Sequence, residues 1–213
     1  MRIDIFSDVV CPWCFVGKRR LERAPAMRPM VDAQIAWRPF QLNPGIPREG
    51  VPSDAYFSAK FGDIDRFKRR REAIVDIGAG LGIAFAFERI ERQPNTLDAH
   101  RLIRFATQRG RADAVVEALF HAHFVEARDI GDATVLAAIA GEVGLDAAQA
   151  FEHLANGGAM DETLAAEREA RRIGVDAVPC YVFDRQYAVS GAQEPEIFLP
   201  VFDLVLRGSA VSA

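Results

Sequence analysis

Three cysteines are all that these 213 residues hold, and so small and odd a number excludes a secreted scaffold built on disulfides. Staples are not needed either, because a chain of this length buries roughly 70% of its unfolded surface on folding. Charge of one sign is scarce. A net charge of −4 and an isoelectric point near 5.6 argue against nucleic acid or an anionic membrane as the main partner. Long hydrophobic runs are absent too: the longest uncharged apolar stretch, residues 77–87, carries three glycines and is too short to span a bilayer. The opening Met1-Arg2-Ile3-Asp4-Ile5-Phe6-Ser7-Asp8 places two acids among its apolar residues, unlike a secretory leader, and neither end carries a lipidation signal. The expectation is a cytoplasmic protein, in a compartment where thiols stay reduced and paired cysteines are catalytic or metal-binding. No solenoid repeat is present. Gly78-Ala79-Gly80-Leu81-Gly82 has the wrong glycine spacing for a dinucleotide site and no strand before it.

What is present is an ordered series of elements. A strand over 3–6, a helix that can start at Pro12 and breaks near Pro25, and a strand over 34–38 make a βαβ unit with a parallel pair. A loop rich in proline and glycine follows over 42–52. From about 53 to about 159 the pattern is helical and alanine-rich. Asp132 caps a helix over 133–143 that Gly144 stops, and Asp146 caps another over 147–155 that ends before Gly157. A helix over 161–173, with Glu167 and Arg171 at i,i+4, returns the chain to strands at 180–183 and 187–190. Those strands form a hairpin, and a helix over 194–207 closes the chain. The order predicts an α/β sheet domain, residues 1–44 and 160–213, interrupted by an all-helical insertion over 45–159.

Two of the cysteines stand as Cys11-Pro12-Trp13-Cys14, between the first strand and its helix. The exposed N–H groups and positive end of a helix dipole favour the thiolate of the first thiol, Cys11. Trp13 brings no cation, so the helix end supplies most of that effect. Cys14 lies close enough to close a disulfide, so Cys11 would attack a substrate disulfide and Cys14 would resolve the mixed species, or the reverse series would donate the bridge. A zinc site would need two more ligands, and only Cys180 and four scattered histidines could supply them. His121 and His123, two apart, do not share a helix face, and no metal is expected.

Val178-Pro179 precedes the hairpin, and proline is tolerated at a strand's first position. A cis bond there would present the Val178 backbone to a passing peptide or thiol and set Pro179 against the dithiol. Alternation along the strand turns Cys180 away from the dithiol, into the core, in preference to a redox or metal-ligand role. Lys68-Arg69-Arg70-Arg71 reads as a solvated helix face.

These residues resemble the thioredoxin-fold superfamily, and within it the DsbA-like proteins of the cytosolic FrnE-like branch. The resemblance rests on Phe6 to Cys14, Gly17 to Leu21, Trp37 to Pro44, Pro94-Asn95-Thr96 with Ala99-His100-Arg101, Val178-Pro179, and Ala188 to Gln193. It covers nearly the whole chain. It implies a thioredoxin-like fold and a protein disulfide oxidoreductase, with Cys11 as nucleophile, Cys14 as resolving thiol and Pro179 as a cis-proline. It also implies that Trp13, Asn43, Asn95, His100, Val178, Ser190 and Gly191 line the substrate cleft. Ser190-Gly191 would open the last helix, where a carboxylate such as that of glutathione can sit. The branch usually carries an aromatic or other apolar residue after Val-Pro, where this chain has Cys180. The expected partners are a disulfide-containing or dithiol protein, or a low-molecular-weight thiol. No resident cofactor is implied, and glutathione enters only as a co-substrate. The rival readings are a glutathione-dependent isomerase or transferase, related to hydroxychromene-carboxylate isomerases and kappa-class transferases, and a chaperone-like peptide-binding module.

Overall fold

The computed structural model describes residues 1–28, 32–62 and 64–211. In chain order its elements are β1 (Arg2–Ser7), α1 (Pro12–Arg23), β2 (Gln34–Pro39), β3 (Val51–Pro52), α2 (Ser53–Phe61), α3 (Ile64–Ala79) and β4 (Arg92–Gln93). There follow α4 (Leu97–Thr107), α5 (Ala112–Phe124), α6 (Ala133–Glu142), α7 (Ala147–Ala155), α8 (Met160–Arg172), β5 (Cys180–Phe183), β6 (Tyr187–Ser190) and α9 (Pro195–Val211). The main sheet runs β2-β1-β5-β6, with β1 parallel to β2 and antiparallel to β5. The hairpin strands coincide with their predicted bounds. The last helix is longer than predicted, and Pro200 lies inside it. Between the two sheet-forming stretches the chain is mainly helical, with one short antiparallel ladder of β3 on β4.

Local chemistry explains the helix ends. Asp132 accepts from the N–H groups of Thr134 and Val135 at the start of α6, and Asp146 accepts from Gln149 N–H at the start of α7. Gly144 and Gly157 follow those helices with φ of 81° and 72°, a region that suits glycine. On α1, Pro12 occupies a first-turn position, while Arg20 and Arg23 lie in the last turn, the favourable end for cations.

Strand β1 is buried on both faces, and alternation divides its side chains between two cores. Ile3 and Ile5 join Leu21, Tyr181, Phe183, Phe198 and Phe202 beneath α1 and α9. Phe6 turns the other way, to Phe40, Ala170, Val175 and Cys180. Cys180 therefore packs as a core residue, in a cluster separate from the one that holds the dithiol. Helix α1 is covered on two sides. Its Phe15 stacks on Phe120 of α5, with ring centroids 5.0 Å apart, inside the large helical core. Lys18, almost fully buried, ties α1 to α5 by ion pairs to Glu22 of its own helix and to Asp113 and Glu117, the last two at 3.3 and 3.2 Å. Of the basic run, the side chains of Lys68 and Arg70 lie outside the described residues. Arg71 lies 4.9 Å over the Phe87 ring, so this member does not simply face solvent.

The sheet side of α1 depends on Gly17. A Cβ built there would stand 2.2 Å from the Tyr181 hydroxyl and 3.0 Å from Pro179 Cγ. Tyr181 is fully buried, and its hydroxyl makes no hydrogen bond within the protein. We expect Gly17→Ala to destabilise the protein by about 1–3 kcal/mol through overpacking. Adding Tyr181→Phe should recover most of that loss, since it removes the clashing oxygen. Denaturant unfolding of both single variants and the double variant checks this; additive losses would refute the contact as the cause.

Candidate functional site

The site grows from the junction of β1 and α1. Cys11 caps α1 in extended conformation, with φ −93° and ψ 111°, and its N–H donates to Asp8 O at 3.0 Å. The helix then carries Cys14 one turn on, where Cys14 N–H donates back to Cys11 O at 3.0 Å. The Val178-Pro179 bond is cis, and Cys11 Sγ lies 3.8 Å from the Val178 carbonyl oxygen. Backbone from the start of β5 thus faces the first thiol.

The two thiols occupy different surroundings. Cys11 lines an apolar cleft of about 550 Å³, with Trp13, Asn43, Tyr56, Phe57, Phe124 and Val178 among its neighbours. Cys14 lies behind it and does not reach the cleft. Burial pushes the Cys14 thiol well above its ordinary pKa, and the neighbouring Cys11 side chain adds to the rise. The Ser7 hydroxyl and the Asp8 backbone oppose that rise. Burial likewise pushes the Tyr181 phenol well up, and the neighbouring thiols add to it, so Tyr181 stays protonated. Cys180 is also raised by burial, with Asp176 adding to the rise.

Of the residues that sequence singles out, Cys11, Trp13, Asn43 and Val178 meet on this cleft. Asn95 does not line it. Its side chain pins the preceding loop to α4, donating to Ile46 O at 2.6 Å and accepting from Leu97 N–H at 2.9 Å. His100 is buried behind the site, 3.4 Å from Asp8, and lines a separate cavity with Ser7 and Arg104. The Ser190-Gly191 turn packs on the cis-proline, where Gly191 N–H donates to Pro179 O at 2.8 Å. The last helix begins at Pro195, so that turn is not its N-terminus, and the expected carboxylate position at a helix start is not formed there.

Sequence reasoning passes over His123. Spacing considers it only as a metal partner for His121, yet it lines the cleft with Cys11. Its Nδ1 makes no hydrogen bond within the protein. Burial holds its pKa down at about 4, with Asp8 opposing. No periodicity could find it, because a buried histidine on α5 looks like any other core position.

A sheet whose central strand feeds a dithiol helix, faced by a cis-proline, defines a thioredoxin-type fold. The chain belongs to the DSBA-like thioredoxin domain family, whose model matches residues 2–201. It is similar to a probable DsbA oxidoreductase from Streptomyces coelicolor, SCO1869, with a TM-score of 0.88 and 34% identity over 97% of this chain and 90% of that one. It is 28% identical to the uncharacterised protein YwbO of Bacillus subtilis (strain 168), over 93% of this chain and 94% of the relative. The fold is also that of the cytosolic disulfide reductase DsbM from Pseudomonas aeruginosa, determined with GSH, at a TM-score of 0.67 and 17% identity over 97% and 100% of the two chains. Among the described residues no helix is long and apolar enough to cross a membrane.

Two expectations follow from this environment. Brief treatment of the reduced, native protein with iodoacetamide should alkylate Cys11 first, with Cys14 and Cys180 reacting only on unfolding. Mass mapping of the labelled cysteines decides it, and equal labelling of Cys11 and Cys14 would contradict the geometry. The second concerns pH. In the unfolded chain His123 takes up a proton near pH 6.5, but the folded protein resists protonation until about pH 4. Its neutral burial therefore contributes stability that is fully present above about pH 6.5 and is lost as pH falls toward about 4. The ceiling is about 3 kcal/mol, because each tenfold loss of proton affinity is worth about 1.4 kcal/mol. His123→Gln should flatten the acid limb of the stability curve in guanidinium unfolding by up to that amount; parallel curves would refute it.

Proposed function

We propose that this protein is a cytoplasmic thiol:disulfide oxidoreductase working through the Cys11–Cys14 dithiol. The observation that carries the reading is the asymmetry of the pair: Cys11 faces the cleft, while Cys14 waits behind it as a buried thiol next to the Cys11 sulfur. The thiolate of Cys11 attacks one sulfur of a substrate disulfide R–S–S–R′, and the first substrate thiolate leaves and takes a proton. Cys14 then gives up its proton and attacks Cys11 Sγ. That step breaks the mixed disulfide, releases the second substrate thiol, and leaves a Cys11–Cys14 disulfide. Two electrons have passed to the substrate. A low-molecular-weight thiol such as glutathione, or a protein dithiol, returns the pair to the reduced state, and the direction follows the potentials of the partners.

Within this reading, residues 1–44 and 160–213 carry the chemistry, and the segment 45–159 forms the opposite wall and selects the substrate. Pro179 and the Val178 carbonyl hold the backbone that the attacking sulfur and its partner lie against. Asn43 lines the entrance. Trp13 gives that entrance a partly exposed aromatic edge.

A glutathione-dependent isomerase or transferase is the second reading, favoured by the fold shared with a 2-hydroxychromene-2-carboxylate isomerase at a TM-score of 0.73 and 16% identity. The two part at Cys14, which redox exchange needs and glutathione-dependent addition does not. We expect Cys11→Ser to abolish disulfide exchange, and Cys14→Ser to leave a mixed disulfide that mass spectrometry traps on Cys11. Full activity in Cys11→Ser would sink both the nucleophile and the dithiol mechanism. Glutathione-dependent turnover untouched by Cys14→Ser would favour the second reading.

A further inference from the structure

The cleft at Cys11 has a composition of its own. Tyr56 and Phe57 of α2, Ile74 of α3, and Phe87, Ile90 and Phe124 make its walls. At about 550 Å³ it has the size and apolar character of a site for a small molecule. An extended peptide would need backbone partners along its length, and glutathione carries two carboxylates, an ammonium and two amides. Apolar walls offer few groups to answer either.

The charges around the cleft are one-sided. The chain as a whole is acidic, at −4, yet the described residues that line this cleft include Lys60 and Arg71 and no carboxylate. The two cations differ. Asp54 and Glu88, outside the lining, act on the Arg71 guanidinium and oppose the fall that burial imposes on its pKa. Among the described residues Lys60 has no such neighbour: its ammonium donates to Asn43 Oδ1 at 2.9 Å and to the Tyr56 hydroxyl at 2.7 Å. It also lies 5.1 Å from the centroid of the Tyr56 ring and 5.9 Å from that of Phe61. Neutral oxygens and ring faces hold its position, and no carboxylate among the described residues meets its charge. Lys18, by contrast, is met by three carboxylates.

We propose that the cleft takes a low-molecular-weight disulfide with an apolar, aromatic body and an anionic group, the body against the phenylalanine walls and the anion on Lys60. The reaction rests on the dithiol reading above; the binding does not. In the reaction, the reduced dithiol passes two electrons to Ar–S–S–Ar. The Cys11–Cys14 disulfide forms, the substrate S–S bond breaks, and the two cysteine protons leave on two Ar–SH products. The anion serves to hold the substrate, so removing its partner changes affinity and not the chemistry of sulfur.

Binding is tested first, on the Cys11→Ser protein, by calorimetric titration with 1-naphthoate and with 1-naphthalenemethanol. One charge-assisted contact predicts a preference of about tenfold for the carboxylate. Lys60→Met should erase that preference and Lys60→Arg should keep it. Equal affinity for the two ligands, or a preference that survives Lys60→Met, overturns the proposal. Exchange is tested second, with pre-reduced wild-type and Lys60→Met proteins against bis(4-carboxyphenyl) disulfide, its dimethyl ester and oxidised glutathione. Each rate is taken relative to dithiothreitol under the same conditions, which removes the intrinsic reactivity of the substrate. The expected result is a loss of about tenfold for the dicarboxylate alone in Lys60→Met. Oxidised glutathione outpacing the dicarboxylate on that relative scale would overturn the substrate class. Carboxylate-selective binding together with no exchange on any disulfide would overturn the dithiol reading and leave the binding site standing.

Discussion

The close approach of α1 to β5 at Gly17 is the constraint on which the site depends. With no side chain at that position, the helix settles directly over the Tyr181 hydroxyl and Pro179, and that height brings the Cys11 sulfur to the Val178 carbonyl. Any larger residue would lift the helix away from the hairpin and carry the dithiol with it. The contact is held from the opposite side by Phe15 stacked on Phe120 and by the buried Lys18 among its carboxylates. A buried ammonium is costly unless paired, so the Lys18 cluster fixes one register of α1 on α5. Sheet, dithiol helix and helical layer are consequently coupled: moving any one shifts the sulfur positions.

The same packing explains why polar groups collect behind the dithiol. Ser7 Oγ, His123 Nδ1 and the Tyr181 hydroxyl are buried without a hydrogen-bond partner within the protein, and Asp8 Oδ1 and His100 Nε2 are buried facing each other at 3.4 Å. A buried polar group left without a partner costs about 1–3 kcal/mol. A core selected for stability alone would replace them with apolar atoms of similar shape. Several stand next to the sulfurs: Ser7 acts on Cys14, Tyr181 feels both thiols, and His123 shares the cleft with Cys11. Their concentration around one pair of side chains is the pattern expected where local stability is traded for control of proton positions.

Much of the fold was legible because its signals are local. The hairpin of β5 and β6 follows from β-branched and aromatic runs bounded by a turn, and the caps at Asp132 and Asp146 announce α6 and α7. The βαβ opening follows from a short strand, a proline at the helix start, and a second strand. The dithiol was legible for the same reason, since spacing and helix position are both written in four consecutive residues. The cleft was not. Lys60, Phe87 and His123 come from three separate stretches that only tertiary packing brings near Cys11. Asn95 and His100 show the converse: both stand in a stretch that resembles a cleft-lining region, yet Asn95 ties down a loop and His100 turns toward Asp8. Resemblance points to a neighbourhood, and side-chain direction decides which of its residues line the cleft.

The division of labour in the molecule has a physical basis. The proposed sulfur exchange needs a fixed pair of atoms, and the seat of α1 on β5 holds them in place. In that proposed exchange, discrimination between substrates would fall to a wall whose shape and charge can change without disturbing that seat, and residues of α2 and α3 line the cleft there. Their contribution to the cleft comes from the half-buried Tyr56 and Phe57 and the exposed Lys60, whose replacement disturbs little of the core. Gly17, Phe15 and Tyr181 have no such freedom. On that proposal a single dithiol frame would serve different substrates through changes confined to one wall; in this chain the wall is aromatic, with an ammonium held at its edge, among the described residues, by neutral groups.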